Sequence, residues 1–198
     1  MGLDLDYTDG QTPIDEDEKE GLLIDTITTL GELNEFEQLN VEKAVDWIRR
    51  RKPASDKILT EEFVKELHRR MFGDVWKWAG AFRNTNKNIG VDKYQIGIEL
   101  RKMLDDCKYW IEHKTFSEDE IAVRLSHRIV VIHPFSNGNG RHSRLISDTL
   151  ISHGLGKEHF SWGNKNLTKH GEARSKYLSA LKRADEGEFT ALIKFAME

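Results

Sequence analysis

The chain has one cysteine, three prolines and no long apolar run. A single cysteine excludes an intrachain disulfide, and Cys107 falls on the apolar side of a predicted helix, which points to core packing. No stretch is long enough to span a bilayer and no secretory signal is present, so a cytoplasmic location without membrane contact is the expectation. Positive charge is not in excess either. The formal net charge of −4 gives no support to a broad nucleic-acid surface, and no nucleic-acid partner is expected. What the 198 residues do hold is 32% charged and 38% hydrophobic side chains, the balance of a soluble, helix-rich domain with an ample core.

The chain is organised around His133-Pro134-Phe135-Ser136-Asn137-Gly138-Asn139-Gly140-Arg141-His142-Ser143-Arg144. Upstream, Ser117 and Glu120 have the capping-box spacing, and Ile121, Leu125, Ile129 and Ile132 recur at helical period. Pro134 should stop that helix and leave His133 at its C-terminal end. Downstream, Leu145, Ile146, Thr149 and Leu150 fit one face of a second helix ending near Gly154. A loop rich in Gly and Asn that leads into a helix start offers backbone N–H groups at the positive end of the helix dipole, a natural phosphate cradle. Arg141 and Arg144, three apart, add two forks of donors. His133 beside them is the side-chain type best suited to take a proton near neutral pH. Base and anion cradle together suggest phosphoryl or nucleotidyl transfer.

This segment resembles the Fic motif, His-x-Phe-x-Asp/Glu-Gly-Asn-Gly-Arg-x-x-Arg, and departs from it only at Asn137. The chain as a whole, over roughly residues 22–196, is similar to the Fic-type proteins called mobile mystery protein B. The resemblance implies a mainly α fold, a Fic-type helical bundle with a short β-hairpin flap. It also implies a protein adenylyltransferase, with ATP as substrate and Mg²⁺ or Mn²⁺ as cofactor. A target-protein hydroxyl would attack the α-phosphate while His133 takes the proton. Backbone groups at Gly138, Asn139 and Gly140, with the Asn139 side chain, would meet the α-phosphate. Arg141 would support the β-phosphate and Arg144 the γ-phosphate. Asn137 stands where the family has a carboxylate that helps to hold the metal, and an amide supplies an oxygen without charge. Three outcomes stay open: phosphates and water carry the ion, the enzyme works poorly, or another group is transferred. An alternative of a different class is a weakly catalytic member of a toxin–antitoxin-like pair, with an antitoxin-like binding partner.

Residues 1–21 read as an acidic N-terminal arm, either a solvated tail or a partner-binding segment, ahead of a domain over 22–198. Thr28 to Asn34 resembles the family's inhibitory segment, in which Glu32 would pair with Arg144 and exclude the γ-phosphate. Glu32 as a plain polar residue near a helix start is the other reading. Asn34 is the predicted cap of the next helix, with Glu37 reaching back, and Arg49-Arg50-Arg51-Lys52-Pro53 ends it. Thr60 begins a helix that carries Phe63, Leu67 and Met71. Between Arg83 and Ile98, short β-prone runs predict a hairpin whose residues Ile89, Gly90 and Val91 would dock an extended target segment, unless the hairpin is purely structural. Leu100, Met103, Leu104, Cys107, Trp110 and Ile111 form another helical stripe. Helices around Ala173–Ala184 and Phe189–Ala196 close the chain, with Trp162 and Tyr177 assigned either to core packing or to a nucleotide base.

Overall fold

The computed structural model describes residues 14–164, 167 and 171–198. Its helices are α1 (Glu16–Lys19), α2 (Leu30–Arg51), α3 (Ser55–Ile58), α4 (Glu61–Phe72), α5 (Ile96–His113), α6 (Glu118–Ile132), α7 (Asn139–Thr149), α8 (Glu172–Asp185) and α9 (Thr190–Met197). A π-helical turn, Leu150–Gly154, extends α7 to the predicted stop.

Side chains that recur every three or four residues build the main core. Leu33, Ala44 and Ile48 of α2, Phe63, Leu67 and Met71 of α4, Leu100, Met103 and Cys107 of α5, and Ile121, Leu125 and Ile129 of α6 are all buried there with Phe135. Each fully buried side chain of this kind stabilises the fold by about 1.5–3 kcal/mol. Burial also pushes the Cys107 thiol up to about 12, so it is a packing residue. A second cluster under α8 and α9 contains Ile151, Phe160, Trp162, Tyr177 and Phe195. Helix α6 lies between the two clusters, because Ala122 and Val123 join the second while Ile121 and Leu125 join the first. Phe135, in the loop that links α6 to α7, is held by the first.

Three expectations change. Helix α2 is capped by Thr29, whose hydroxyl accepts from Glu32 N, five residues ahead of Asn34. Glu37 is therefore inside the helix and turns to other partners. The expected β-hairpin is absent: 84–92 is irregular, followed by a short 3₁₀ turn, Lys93–Gln95, and the bridge that joins Leu22 to Trp76 lies outside this stretch. Side chains take the backbone groups a hairpin would pair. Asn86 Oδ1 accepts from Lys93 N at 2.8 Å, Asp92 Oδ1 accepts from Tyr94 N at 2.9 Å, and Lys93 Nζ donates to Asn84 O at 2.8 Å.

The third concerns the acidic arm. Its first thirteen residues lie outside the described part, but 14–21 is anchored on the domain, with Ile14 and Glu18 buried and Asp15, Glu16, Asp17 and Glu20 still exposed. Lys87 Nζ lies 2.6 Å from both Asp15 Oδ2 and Glu18 Oε2, and Trp78 Nε1 donates to Glu18 O at 3.0 Å. This ties α1 to the loop expected to form the flap.

Candidate active site

Helix α6 closes on His133 itself, at φ 53 and ψ 59, with the His133 N–H on Ile129 O at 2.9 Å. Pro134 follows directly and bars any continuation. The left-handed cap turns the imidazole toward the α6–α7 loop, where it is 5% exposed. Burial holds its pKa down at about 4, partly offset by a backbone hydrogen bond at Val130, and the charges of Arg83 and Lys87 lower it further. The imidazole is thus neutral at pH 7, the form a general base needs.

The loop is braced from below. Phe135 is fully buried and stacks on His68, ring centroids 3.7 Å apart. His68 is also fully buried, its Nδ1 accepting from Gly80 N at 3.0 Å, which leaves the ring proton on Nε2 to be donated to Asn137 O at 3.0 Å. Asn139 turns inward, with Nδ2 donating to Phe135 O at 2.8 Å and Oδ1 accepting from Phe135 N at 3.0 Å. The Asn139 side chain, expected to meet the α-phosphate, here braces the loop.

Helix α7 starts at Asn139 after Gly138, which has φ 76 and supplies no side-chain cap. The first intrahelical bond is His142 N to Gly138 O at 2.9 Å, so the N–H groups of Asn139, Gly140 and Arg141 precede the helical ladder. His133, Asn137, Gly138, Asn139, Gly140, Arg141, Arg144 and Ile89 all line one cavity of about 320 Å³, as do Arg174, Tyr177 and Leu181 of α8. The predicted base and cradle meet in one place.

Arg144 lies over the Tyr177 ring, 5.5 Å from its centroid, and the Tyr177 hydroxyl is buried with no hydrogen-bond partner among the described residues. Trp162 stays in the core and donates to Asp148 Oδ1 at 2.9 Å. Burial raises that carboxyl to about 7, while the bonds from Trp162 and Phe160 and the charge of Arg144 pull it back down.

Glu32 does not join the site. Its Oε2 accepts from Thr28 N at 2.9 Å and Thr29 N at 3.1 Å, bonds that lower its pKa, and the side chain is exposed at the start of α2. The expected pairing with Arg144 is replaced by a helix cap. Arg141 has a carboxylate partner instead, Glu37, at 2.6 Å.

Of the flap residues, Ile89 lines the cavity, Gly90 packs so closely that a Cβ would stand 2.7 Å from His133 Cβ, and Val91 N donates to Ile132 O at 3.3 Å. Arg83, which the sequence did not single out, holds this loop. Its Nε donates to His133 O at 2.7 Å, Nη1 to Thr85 O at 2.8 Å and Nη2 to Val91 O. Replacing Arg83 with Met leaves those carbonyls without their donor, and the expected loss is about 3 kcal/mol of stability. Denaturant titration of the variant measures it.

No metal site is assembled by these groups. Asn137 Oδ1 accepts from Gly138 N at 2.6 Å, and no cluster of three or more His, Cys, Asp or Glu able to hold an ion occurs among the described residues. The donor set does not fit a metal held by the protein.

Residues 58–151 match the model of the Fic/DOC family. The chain belongs to this family. The Fic protein is 27% identical over 171 residues to protein adenylyltransferase Fic of Aedes aegypti, covering 84% of this chain and 32% of the relative. It is 30% identical over 141 residues to the protein of the same name in Drosophila virilis, covering 69% of this chain and 27% of the relative. The chain thus spans about a third or less of the length of these relatives. Among solved structures, Fic-1 (residues 134–508) of C. elegans matches with TM-score 0.64 at 21% identity, over 90% of this chain and 51% of that one. BepC of Bartonella tribocorum, solved with bound AMPPNP, matches with TM-score 0.65 at 18% identity, over 92% and 97% of the two chains. These likenesses establish the Fic fold.

Proposed function

We propose that this Fic protein transfers AMP from ATP to a hydroxyl side chain of a target protein. The observation that carries the reading is the meeting, in one cavity, of a neutral histidine, an uncapped helix N-terminus and two arginines. The target oxygen attacks the α-phosphorus, its proton passes to His133, and the bond from the α-phosphorus to the α,β-bridging oxygen breaks to release pyrophosphate. Backbone N–H groups of Asn139 and Gly140 meet the charge that builds on the α-phosphate, and Arg144 takes the far end of the phosphate chain. Tyr177 and the apolar residues of α8 offer a face for the nucleoside. The names of the insect relatives support AMP as the transferred group.

An ion that accompanies the nucleotide would be carried by phosphate oxygens and water. Asn137 also favours a second reading, in which the donor is a different nucleotide or phosphate-bearing group.

The test is incubation in lysate with ATP labelled at the α- or the γ-phosphate, beside a panel of other labelled donors. AMP transfer is expected to place the α label on protein and the γ label in pyrophosphate. Protein labelling only by another donor moves the assignment to that donor, and labelling by none removes the transferase reading.

A further inference from the structure

Arg141 does not meet the cavity as a lone cation. Its Nη1 lies 2.6 Å from Glu37 Oε2, and Glu37 Oε1 accepts the Trp76 indole N–H at 2.6 Å. Glu37 is 3% exposed, and it is the one carboxylate among the described residues that line the cavity. The Arg141 guanidinium rests over the Phe72 ring, 4.7 Å from its centroid, which fixes the pair from the other side. Arg144 differs, since no described carboxylate makes a salt bridge with it and its contact is the Tyr177 ring.

We propose that Glu37 is the resident counter-ion of Arg141 and sets how tightly the cavity binds a phosphate chain. The inference rests on the anion-cradle part of the reading above and does not require AMP transfer. A phosphate that reaches Arg141 meets an ion pair whose negative end is already in place, so its gain from the guanidinium is offset by repulsion from the carboxylate. A ligand with a single phosphate, held at the helix N-terminus, feels less of that repulsion than a chain of two or three. Glu37 is thereby a specificity-determining residue that loads its cost on the longer anion.

The chemistry also requires a carboxylate at this position. Glu37 gives one oxygen to the buried Trp76 indole and the other to the half-buried Arg141 guanidinium, whereas glutamine has one oxygen and turns its NH₂ toward the second partner. Glu37→Gln thus frees either the indole or the guanidinium, and it removes the charge in both cases.

Calorimetric titration with inorganic pyrophosphate and with AMP tests this. Glu37→Gln is expected to bind pyrophosphate roughly tenfold more tightly than wild type, with a smaller gain for AMP. Arg141→Met is expected to weaken pyrophosphate binding in both backgrounds, and by a larger factor in the Glu37→Gln background, where the guanidinium is no longer offset, a coupling that a merely structural role would not produce. Should Glu37→Gln fail to fold by circular dichroism, Glu37→Asp serves, because it draws the charge back by one methylene and is expected to give an intermediate gain. A folded variant that binds pyrophosphate no more tightly than wild type overturns the proposal. If no variant binds pyrophosphate, the cradle and the counter-ion fall together. Tighter binding without protein labelling keeps the counter-ion and removes AMP transfer.

Discussion

His133→Asn should reduce transfer by about 10²- to 10⁴-fold, the range a general base contributes, while nucleotide binding survives. Asparagine is the informative substitute because His133 has φ 53, a left-handed conformation that asparagine tolerates, and its carbonyl bond to Arg83 involves only backbone. The pH profile gives an independent check. Burial places the pKa of His133 at about 4, so at pH 5.5 nearly all of it is neutral, whereas an imidazole with an ordinary pKa would be only about a tenth neutral. The acid limb of kcat/KM is expected near or below pH 5. A limb centred at 6.5 would sink the assignment of a buried, desolvated base.

The same burial has a consequence for stability, and its sign is fixed. His68, His133 and His142 all have folded-state pKa values below the ordinary 6.5, chiefly through desolvation. As pH falls through 6.5 the unfolded chain takes up protons that the folded chain refuses. Stability present above that pH is lost on the way down to about 4, so circular dichroism must accompany the rate measurements.

Much of the site is legible in the sequence because its parts are close along the chain. A base, a stop, a glycine turn and two arginines fall between His133 and Arg144, and helical geometry alone brings them into one cavity. The supports come from elsewhere. Glu37 reaches Arg141 from α2, His68 reaches Asn137 from α4, and Arg83 reaches His133 from the loop after α4. Two of these leave a sequence signal. Glu37 interrupts the buried stripe of Leu33, Asn40, Ala44 and Ile48, and His68 sits beside Leu67 and Met71 on the buried side of α4. A polar residue on an apolar face is a request for a partner. Arg83 carries no such mark, because its partners are main-chain carbonyls, which every residue has. The hairpin expectation fails for a related reason. Its short β-prone runs are real, but Asn86 and Asp92 offer the backbone nearer partners than a second strand.

Gly138→Ala is expected to lower stability by about 2–5 kcal/mol and to abolish most phosphate binding. Two costs combine. The residue has φ +76, and an L side chain there costs about 1–2 kcal/mol. The added Cβ would also stand 2.5 Å from Cε2 of Phe72, a ring only 1% exposed, and overpacking of this kind costs about 1–3 kcal/mol. Phe72 cannot yield without consequence, because the Arg141 guanidinium rests on its ring and His68 packs against it. Gly156→Ala separates the two costs. Gly156 has φ +73 but nothing within 4 Å of its would-be Cβ, so that variant carries the backbone strain alone. Thermal denaturation and pyrophosphate titration of both variants should show a small loss at 156 and a large one at 138. Equal losses would mean that the contact between Gly138 and Phe72 does not hold the loop in shape, and that the cradle is fixed by α7 and the Asn139 brace instead.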